Sequence, residues 1–413
     1  MGTNNQKNDQ NIIPNDADKQ QKGVNVPNLR FRQFQNIWIK KSLHDITKKI
    51  NIKNKNKECK NVICNSAQLG LIRQIDFFDK EIAQDGSIEN YTIIKKNDFV
   101  YNPRKSLNAP YGPVNIYNYE EAGIVSPLYL CFSVHDIDKI FLHYYFKSQA
   151  WYRFIYLNGD SGARHDRVSI KDEVFFSQNL YLPNAIEQEK IGVFLTLIEQ
   201  RIDTQSKIIE DLELFKKGIE NQYFGYHKNN EYVILGDIIT QVNNKNEQNK
   251  DFEVLSVSNK YGFIPQSEQF DDHEVASANK SNYKIVKQND FAYNPARINV
   301  GSIAMLKNNQ VGIVSPMYIC FRTDNNRILS SYLDYFSHSN KFNNAVLKNL
   351  EGSVRLCLSF ESLSKIKIHL PSLDTQYEIV KNLDLISNKI SIENKILEKL
   401  KEQKKYLLSN MFI

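Results

Sequence analysis

The sequence has few of the features that mark secreted, membrane or redox proteins. Its five cysteines form no CxxC pair and no Cys/His metal spacing, so neither a disulfide framework nor a zinc module is expected. No run approaches the roughly 18 apolar residues of a membrane span. Residues 1–25 are rich in Asn, Gln, Asp and Lys and lack an apolar core, which predicts a disordered lead-in and no signal peptide. We therefore expect free thiols and a cytoplasmic location.

Catalytic signatures are missing as well. The chain contains no P-loop GxxxxGK[ST] and no HExxH metal motif. The YNP tripeptides at Tyr101 and Tyr293 partly match the Asn-Pro-Pro-aromatic motif of amino-methyltransferases, but they lack the second proline and the aromatic residue. No Gly-rich cofactor loop follows a strand and opens a helix. These absences predict a chain without chemistry of its own, which binds no cofactor or metal.

The composition is that of a folded protein with a mild basic excess. The 413 residues are 41% hydrophobic and 11% aromatic, which is enough for two to three domains with their own cores. The net charge of +6 arises from 53 basic and 47 acidic residues, so any nucleic-acid surface must be a local patch.

The most informative feature present is an internal repeat. GIVSPLYLCF begins at Gly123 and GIVSPMYICF at Gly312, with eight of ten positions identical. NDFVYNP begins at Asn97 and NDFAYNP at Asn289. These aromatic and β-branched segments, bounded by Asn, Pro and Gly, predict strands, and the aromatic stretches that follow predict helices. Each copy is therefore expected to be an α+β domain.

A long amphipathic helix is predicted to close each copy. The apolar positions follow alternating steps of four and three, which is a heptad seam. The same seam recurs 188 residues later, and both copies carry polar residues at the same two positions: Gln205, Lys216, Glu393 and Lys404. We predict that the two helices form an intramolecular antiparallel coiled coil. One admissible register places Lys216 near Glu393 and Gln205 near Lys404.

The order of these motifs resembles the specificity subunit of type I restriction–modification systems. The similarity rests on VPNLRF near the start, LGDI opening the second unit, and Leu-Pro followed by a Gln/Glu-rich helix start in both copies. It covers about residues 26–413. The predicted organisation is a lead-in (1–25), target recognition domain 1 (26–183), spacer helix 1 (184–224), target recognition domain 2 (225–371) and spacer helix 2 (372–413).

The resemblance implies sequence-specific binding of double-stranded DNA, with each recognition domain reading half of a split, asymmetric target. It implies two modification subunits that methylate adenine with S-adenosylmethionine, and it leaves open whether two restriction subunits that use ATP and Mg join them. Two alternatives from other classes stay open at this point. One is a DNA methyltransferase or fused nuclease-methylase acting alone, and the other is a coiled-coil scaffold that binds only protein.

The candidate DNA-binding residues lie in matched loops whose tips differ. Asn can pair with adenine and Arg with guanine, while Tyr can stack or reach phosphate. The tips after the YNP motifs carry Arg104-Lys105 in one copy and Ala296-Arg297 in the other. A buried tyrosine beside an Asn-Pro turn is the structural alternative. The first set of candidates is Tyr101, Asn102, Arg104, Lys105, Tyr293, Asn294 and Arg297.

Two further pairs of loops are candidates on weaker grounds. Two loops that follow matched strands differ in residue type. A recognition role and an ordinary solvated turn explain this difference equally well. Gly-rich turns with Arg suit phosphate contact, although a surface salt bridge is an equal alternative. These candidates are Ser66, Gln68, Ser258, Lys260, Arg164 and Arg355. The GIVSP segments are interpreted as core strands.

Overall fold

A computed structural model describes residues 12–14, 25–77, 88–160, 166–225, 231–269, 279–308, 311–352 and 356–413. Most of the lead-in predicted over residues 1–25 lies outside these ranges. Its described part includes Ile12–Pro14, which pairs antiparallel with Leu29–Phe31, so these three residues form a strand instead of the disorder expected. The chain divides into two compact units: residues 1–204 with 396–413, and residues 205–395.

The first unit contains an α+β fold followed by the start of a long helix. In the described residues, two 3₁₀ turns also occur, at Leu43–Asp45 and Ile88–Asn90. The elements are β1 (Ile12–Pro14), β2 (Leu29–Phe31), β3 (Ile39–Ser42), β4 (Thr47–Lys49), β5 (Ile63–Ser66), β6 (Gly70–Arg73), α1 (Gln74–Phe77), β7 (Thr92–Ile94), β8 (Phe99–Tyr101), β9 (Val114–Ile116), β10 (Gly123–Val125), β11 (Leu130–Val134), α2 (Lys139–Lys147), α3 (Tyr152–Asn158), α4 (Asp172–Phe176), β12 (Asn179–Leu182) and α5 (Ala185–Phe224).

The second unit repeats this plan. Its 3₁₀ turns lie at Leu235–Asp237 and Ile298–Val300. The elements are β13 (Tyr232–Ile234), β14 (Ile239–Val242), β15 (Glu253–Ser258), β16 (Gly262–Pro265), α6 (Gln266–Gln269), β17 (Lys284–Val286), β18 (Phe291–Tyr293), β19 (Ile303–Met305), β20 (Gly312–Val314), β21 (Ile319–Thr323), α7 (Ser330–Ser337), α8 (Asn340–Asn349), α9 (Phe360–Ser364), β22 (Lys367–His369) and α10 (Leu373–Asn410).

The sheets of the two units have the same strand order. A four-stranded antiparallel sheet is ordered β4-β11-β8-β9 in the first unit and β14-β21-β18-β19 in the second. A further sheet of the second unit is ordered β16-β15-β20-β17, with β15 and β20 parallel. Its counterpart is the pair of ladders β5-β6 and β10-β7, joined by a parallel bridge between Val62 and Ile124. The repeat read from the motifs is therefore a repeat of fold.

The GIVSP segments are core strands, as interpreted from the sequence. All three residues of β10 and of β20 are buried. A side chain at Gly123 would collide with Ile63, and one at Gly312 would collide with Leu255. Glycine thus lets each strand approach its neighbour closely, which explains why it recurs at both positions.

Both long helices begin after a Leu-Pro pair that is followed, five residues beyond the proline, by a buried glutamine. This glutamine holds the start of the helix in place. Gln188 donates to the Pro183 carbonyl at 2.8 Å and accepts from the backbone N–H of Asp138 at 2.8 Å. Gln376 repeats both bonds, at 2.8 Å each, with Pro371 and Leu329. Each buried amide therefore ties the helix start to the loop before it and to the segment that leads into α2 or α7.

The helices α5 and α10, of 40 and 38 residues, pack together, which confirms the predicted fold class. In the first unit, Leu195 and Ile198 share a core with Leu407 and Met411. In the second unit, Phe224 shares a core with residues of α10 that include Ile379 and Leu383.

The direction of the pairing follows from contacts inside the second unit. Gln205 donates to the Glu393 carboxylate at 2.6 Å, and Asn382 lies 3.3 Å from the Tyr223 hydroxyl. Rising numbers on α5 therefore match falling numbers on α10, so the helices run antiparallel.

The axial register differs from the one expected. Glu393 pairs with Gln205 and Lys389, whereas Lys216 pairs with Glu220 along its own helix. Lys404 pairs with Glu199. Heptad periodicity fixes which face of a helix is buried but leaves its axial offset open, so the sequence alone could not select between registers.

No transmembrane segment occurs in the part of the chain that the structure describes. Neither α5, α10 nor any shorter helix there combines the length and apolarity that a bilayer crossing requires.

Candidate nucleic-acid interface

The candidate loops after β5 and β15 are the same turn built twice. We call residues 66–69 and 258–261 the serine turns. The Ser66 hydroxyl accepts from the backbone N–H of Gln68 and Leu69, at 3.3 and 3.2 Å. Ser258 accepts equivalently from Lys260 and Tyr261, at 3.2 and 3.3 Å. Each serine therefore shapes its turn.

The serine turns end in glycines and present different side chains. Gly70 and Gly262 have φ of 74° and 70°, a backbone conformation that glycine adopts without strain. The side chains at the tips are exposed: Gln68 and Leu69 in the first turn, and Lys260 and Tyr261 in the second. The frame is constant and the presented chemistry differs.

The loops after β8 and β18 also share a frame. We call residues 102–105 and 294–297 the asparagine loops. The Asn102 side-chain oxygen accepts from the Arg104 N–H at 3.0 Å, and that of Asn294 from the Ala296 N–H at 3.1 Å. This bond is the Asx turn expected of an asparagine that opens a loop. Both asparagines are thus engaged in holding the loop.

The exposed positions of the asparagine loops are basic. Arg104 and Arg297 are exposed, and Lys105 is half-buried. Arg104 Nε lies 3.6 Å from Asp166 Oδ2, and the side chains of this pair are 67% and 45% exposed. An ion pair so open to water is weak, so the guanidinium can exchange this carboxylate for another anion at little cost.

The structure corrects the prediction that Tyr101 and Tyr293 contact DNA. Both are buried, and their hydroxyls donate to the carbonyls of Tyr111 at 2.8 Å and Leu358 at 3.2 Å. Burial raises the pKa of both phenols. The ring of Tyr101 also stacks on Phe175 at 4.8 Å. These tyrosines are framework residues, and the core alternative applies to both.

The two loops of each unit lie side by side. In the first unit, Asn102 Nδ2 donates to the carbonyl of Asn65, at 3.2 Å. In the second, Asn259 Nδ2 lies 3.4 Å from the carbonyl of Val300. The structure thus brings the serine turn next to the segment that follows β8 or β18 in each copy. Arg164 and Arg355 lie outside the described residues.

A polar cluster that sequence reasoning missed supports the loops of the first unit. Lys147 Nζ donates to Asn115 Oδ1 at 2.7 Å. Asn115 Nδ2 donates to Asn65 Oδ1 at 2.6 Å and to the Ser66 carbonyl at 3.1 Å. The signal was available, because the buried asparagines Asn65 and Asn115 interrupt otherwise apolar strands.

The second unit fills the same place with apolar groups. By strand register, Val257 is the residue equivalent to Asn65, and Ala304 is the residue equivalent to Asn115. Both are buried. The serine turns are therefore supported differently in the two copies. The first rests on a cluster of hydrogen-bonded side chains, and the second on apolar side chains together with one bond from the Ser302 hydroxyl to the Val257 carbonyl, at 3.2 Å.

Thiol and metal chemistry add nothing to this surface in the described part of the chain. All five cysteines are free thiols, and burial raises the pKa of Cys131 and Cys320 to about 12. Among described residues, no group of three His, Cys, Asp or Glu side chains could hold a metal ion.

Comparison with known proteins finds a family match over the second half of the chain and a shared fold over most of it. Residues 227–402 match the family model of the Type I restriction modification DNA specificity domain. A structure reported for complex assembly and conformational transition of the type I R-M system aligns with TM-score 0.58 at 13% identity, over 90% of this chain and 96% of that chain. The S subunit of a type I restriction-modification system from M. genitalium aligns with TM-score 0.53 at 16% identity, over 94% of this chain and 99% of that one.

The second unit thus carries a type I DNA specificity domain, and the first unit repeats its strand order and its loop frames. The two solved structures share the fold over nearly the whole chain. The resemblance found in the sequence motifs is confirmed, because residues 227–402 match the Type I restriction modification DNA specificity domain.

His143, on α2, predicts a pH dependence of stability. Its Nδ1 is enclosed without a hydrogen-bond partner, and burial, reinforced by nearby Lys147, lowers its pKa to about 3. A histidine in the unfolded chain takes up a proton near pH 6.5, so the stability owed to neutral His143 is complete above that pH and lost as pH falls below it.

Replacing His143 with Gln should therefore weaken the acid sensitivity of the fold. We expect the loss of unfolding free energy between pH 7.5 and 5.5 to shrink by about 1 kcal/mol relative to the unmodified chain. Urea unfolding at each pH measures it, with the exposed His135→Gln as the matched control. An equal effect of both substitutions would contradict the assignment.

Proposed function

We propose that the two compact units read the two halves of a split DNA target, one half-site for each unit. One observation carries this proposal. The serine turns and the asparagine loops are held by the same hydrogen bonds in both copies, yet they present different exposed side chains. Constant frames with different tips are suited to reading two different sequences with one architecture. The target is therefore asymmetric.

The exposed tips offer the chemistry of base and phosphate recognition. Arginines at 104 and 297 can bind the two acceptors of guanine in the major groove, and Gln68 can pair with adenine. Lys260 can reach guanine or phosphate, and Lys105 and the turn backbone can hold phosphate oxygens that set the register. The buried Tyr101 and Tyr293 maintain the loops and do not contact DNA.

Catalysis lies in partner subunits under this proposal. Two modification subunits would methylate adenine using S-adenosylmethionine, and up to two restriction subunits would use ATP and Mg. This chain would supply target choice in the cytoplasm and bind none of those cofactors. The antiparallel helices α5 and α10, about 60 Å long at 1.5 Å per residue, would set the gap between half-sites.

A labelled-methyl assay separates this function from that of a solitary methyltransferase. The purified chain, incubated with labelled S-adenosylmethionine and target DNA, should transfer no methyl group, because it contributes no reacting group. Addition of its modification subunit should start transfer at adenine. Methylation by the chain alone would overturn the division of labour.

Arg104 and Arg297 provide reciprocal controls for independent reading. Arg104→Gln should relax preference in one half-site only, and Arg297→Gln in the other only. Each should cost about 1–3 kcal/mol of discrimination if the guanidinium binds guanine. Selection from DNA randomised in both half-sites, with the complex of chain and modification subunit at one salt concentration, reads out both. Simultaneous change in both halves would refute independent readers.

The helices should act as a ruler. Residues 206–212 and 386–392 face each other beside the Gln205–Glu393 pair, so removing both segments keeps the seam in phase. Seven residues span about 10 Å, close to three base pairs of B-DNA.

We expect the double deletion to shorten the unread spacer by about three base pairs, or to abolish binding, with both half-sites unchanged. Sequencing the methylated sites of cells that carry the variant and its modification subunit measures spacer and half-sites together. New half-site letters with an unchanged spacer would rule out the ruler.

A further inference from the structure

A basic groove lies in the first unit, where α2 meets α5 and α10. It has a volume of about 270 Å³, and four lysines line it above the apolar side chains of Ile202 and Leu408: Lys147, Lys401, Lys404 and Lys405. It does not include the serine turn or the asparagine loop, so the proposed reading of bases leaves it unexplained.

The groove carries more positive charge than its neighbours offset. Lys404 pairs with Glu199. Lys401 lies 3.1 Å from Glu398, but the side chains of this pair are 52% and 67% exposed, so the pair is weak and Lys401 can exchange it for another anion. In the described part of the chain, Lys147 and Lys405 have no ion pair within 4.0 Å. An excess of two ammonium groups therefore faces a concave, partly apolar surface, where attraction to an anion is stronger than at an open surface.

The lysines of the groove lie close enough to affect one another. Burial lowers the pKa of Lys147; the nearby Glu199 carboxylate opposes this change, and the ammonium group of Lys404 adds to it. His143, one turn before Lys147 on α2, is held neutral by the same surroundings. An anion in the groove would offset the repulsion among these groups.

The repeat shows that helix packing does not demand this charge. At the equivalent positions of the second unit, 188 residues earlier, Lys401 becomes Glu213 and Leu408 becomes Glu220, while Lys404 and Lys405 remain lysines 216 and 217. Lys216 pairs with Glu220 at 3.8 Å. The same heptad surface is therefore balanced in one copy and basic in the other.

The groove adjoins the first serine turn. Lys147, which lines the groove, donates to Asn115, and Asn115 donates to the Ser66 carbonyl. Two hydrogen bonds thus connect the groove to the backbone of the turn.

We propose that this groove binds the DNA backbone, with Lys401 and Lys405 holding phosphates beside the half-site read by the first unit. The inference rests on the proposed function and adds to it a sequence-independent contact that the second unit lacks. Each lysine that neutralises a phosphate releases bound counterions, so the contact has a distinct signature in the salt dependence of binding.

The test compares two double substitutions on α10. Lys401→Gln/Lys405→Gln removes charge from the groove, and Lys395→Gln/Lys399→Gln removes the same charge from exposed positions that do not line it. DNA affinity of the chain with its modification subunit is measured from about 50 to 200 mM salt, where the slope of log K against log salt changes by about 0.9 for each phosphate contact.

The expected result is weaker binding and a slope reduced by about 1.8 for the groove variant, with unchanged half-site letters. The control should keep the slope of the unmodified chain. An unchanged slope in the groove variant, or an equal drop in the control, would overturn the proposal and leave the proposed function standing. Absence of any sequence preference in the unmodified complex would instead remove the function itself.

Two further readouts identify other anions. Loss of the complex with the modification subunit in the groove variant, with the DNA salt slope retained, would assign the groove to an acidic protein surface and overturn the proposal. Thermal stabilisation of the unmodified chain by inorganic phosphate, lost in the variant while DNA binding stays intact, would assign it to free phosphate and also overturn it. Circular dichroism of both variants verifies that the helices are intact.

Discussion

The packing of α5 against α10 is the interaction on which the rest of the structure depends. Each helix contributes one part to the first unit and another part to the second, and the apolar seam becomes core in both. The hydrogen bonds of Gln188 and Gln376 then fix where each helix begins relative to the loops around it. Burial of the apolar seam stabilises the pairing of the two helices, while the few buried amides select one arrangement of the chain.

The two units show how duplication separates architecture from specificity. Strand order, the serine turns and the Asx turns are shared, so they belong to the frame. The exposed side chains at the tips and the buried side chains beneath the turns differ between the copies. Asn65 and Asn115 occupy the positions that Val257 and Ala304 occupy in the other copy. A buried polar cluster restricts its partners to one geometry, whereas apolar packing tolerates more variation. The two turns therefore have different internal supports as well as different tips.

The sequence revealed the parts of this fold that are encoded locally. Heptad spacing located both long helices to within a few residues, and repeated strand motifs located the duplicated core. Contacts between residues that are far apart in the chain could not be predicted from the sequence. The offset between α5 and α10 depends on contacts such as Gln205 with Glu393, and the cluster under the first serine turn joins residues from β5, β9 and α2. Tyr101 was misjudged because tyrosine suits a wet groove and a dry core equally well until its neighbours are known.

The route by which the first unit closes has a consequence for its biosynthesis. Phe412 packs against Phe141 and Tyr145, and Leu407 and Met411 belong to the same core. A ribosome delivers these residues only after it has translated the entire second unit. The core of the first unit therefore stays incompletely buried until a segment more than two hundred residues further along the chain has been synthesised. Formation of such long-range contacts is slow, and the exposed core is prone to aggregation in the meantime. During synthesis on the ribosome, the first unit to be translated would therefore be the last to complete its core.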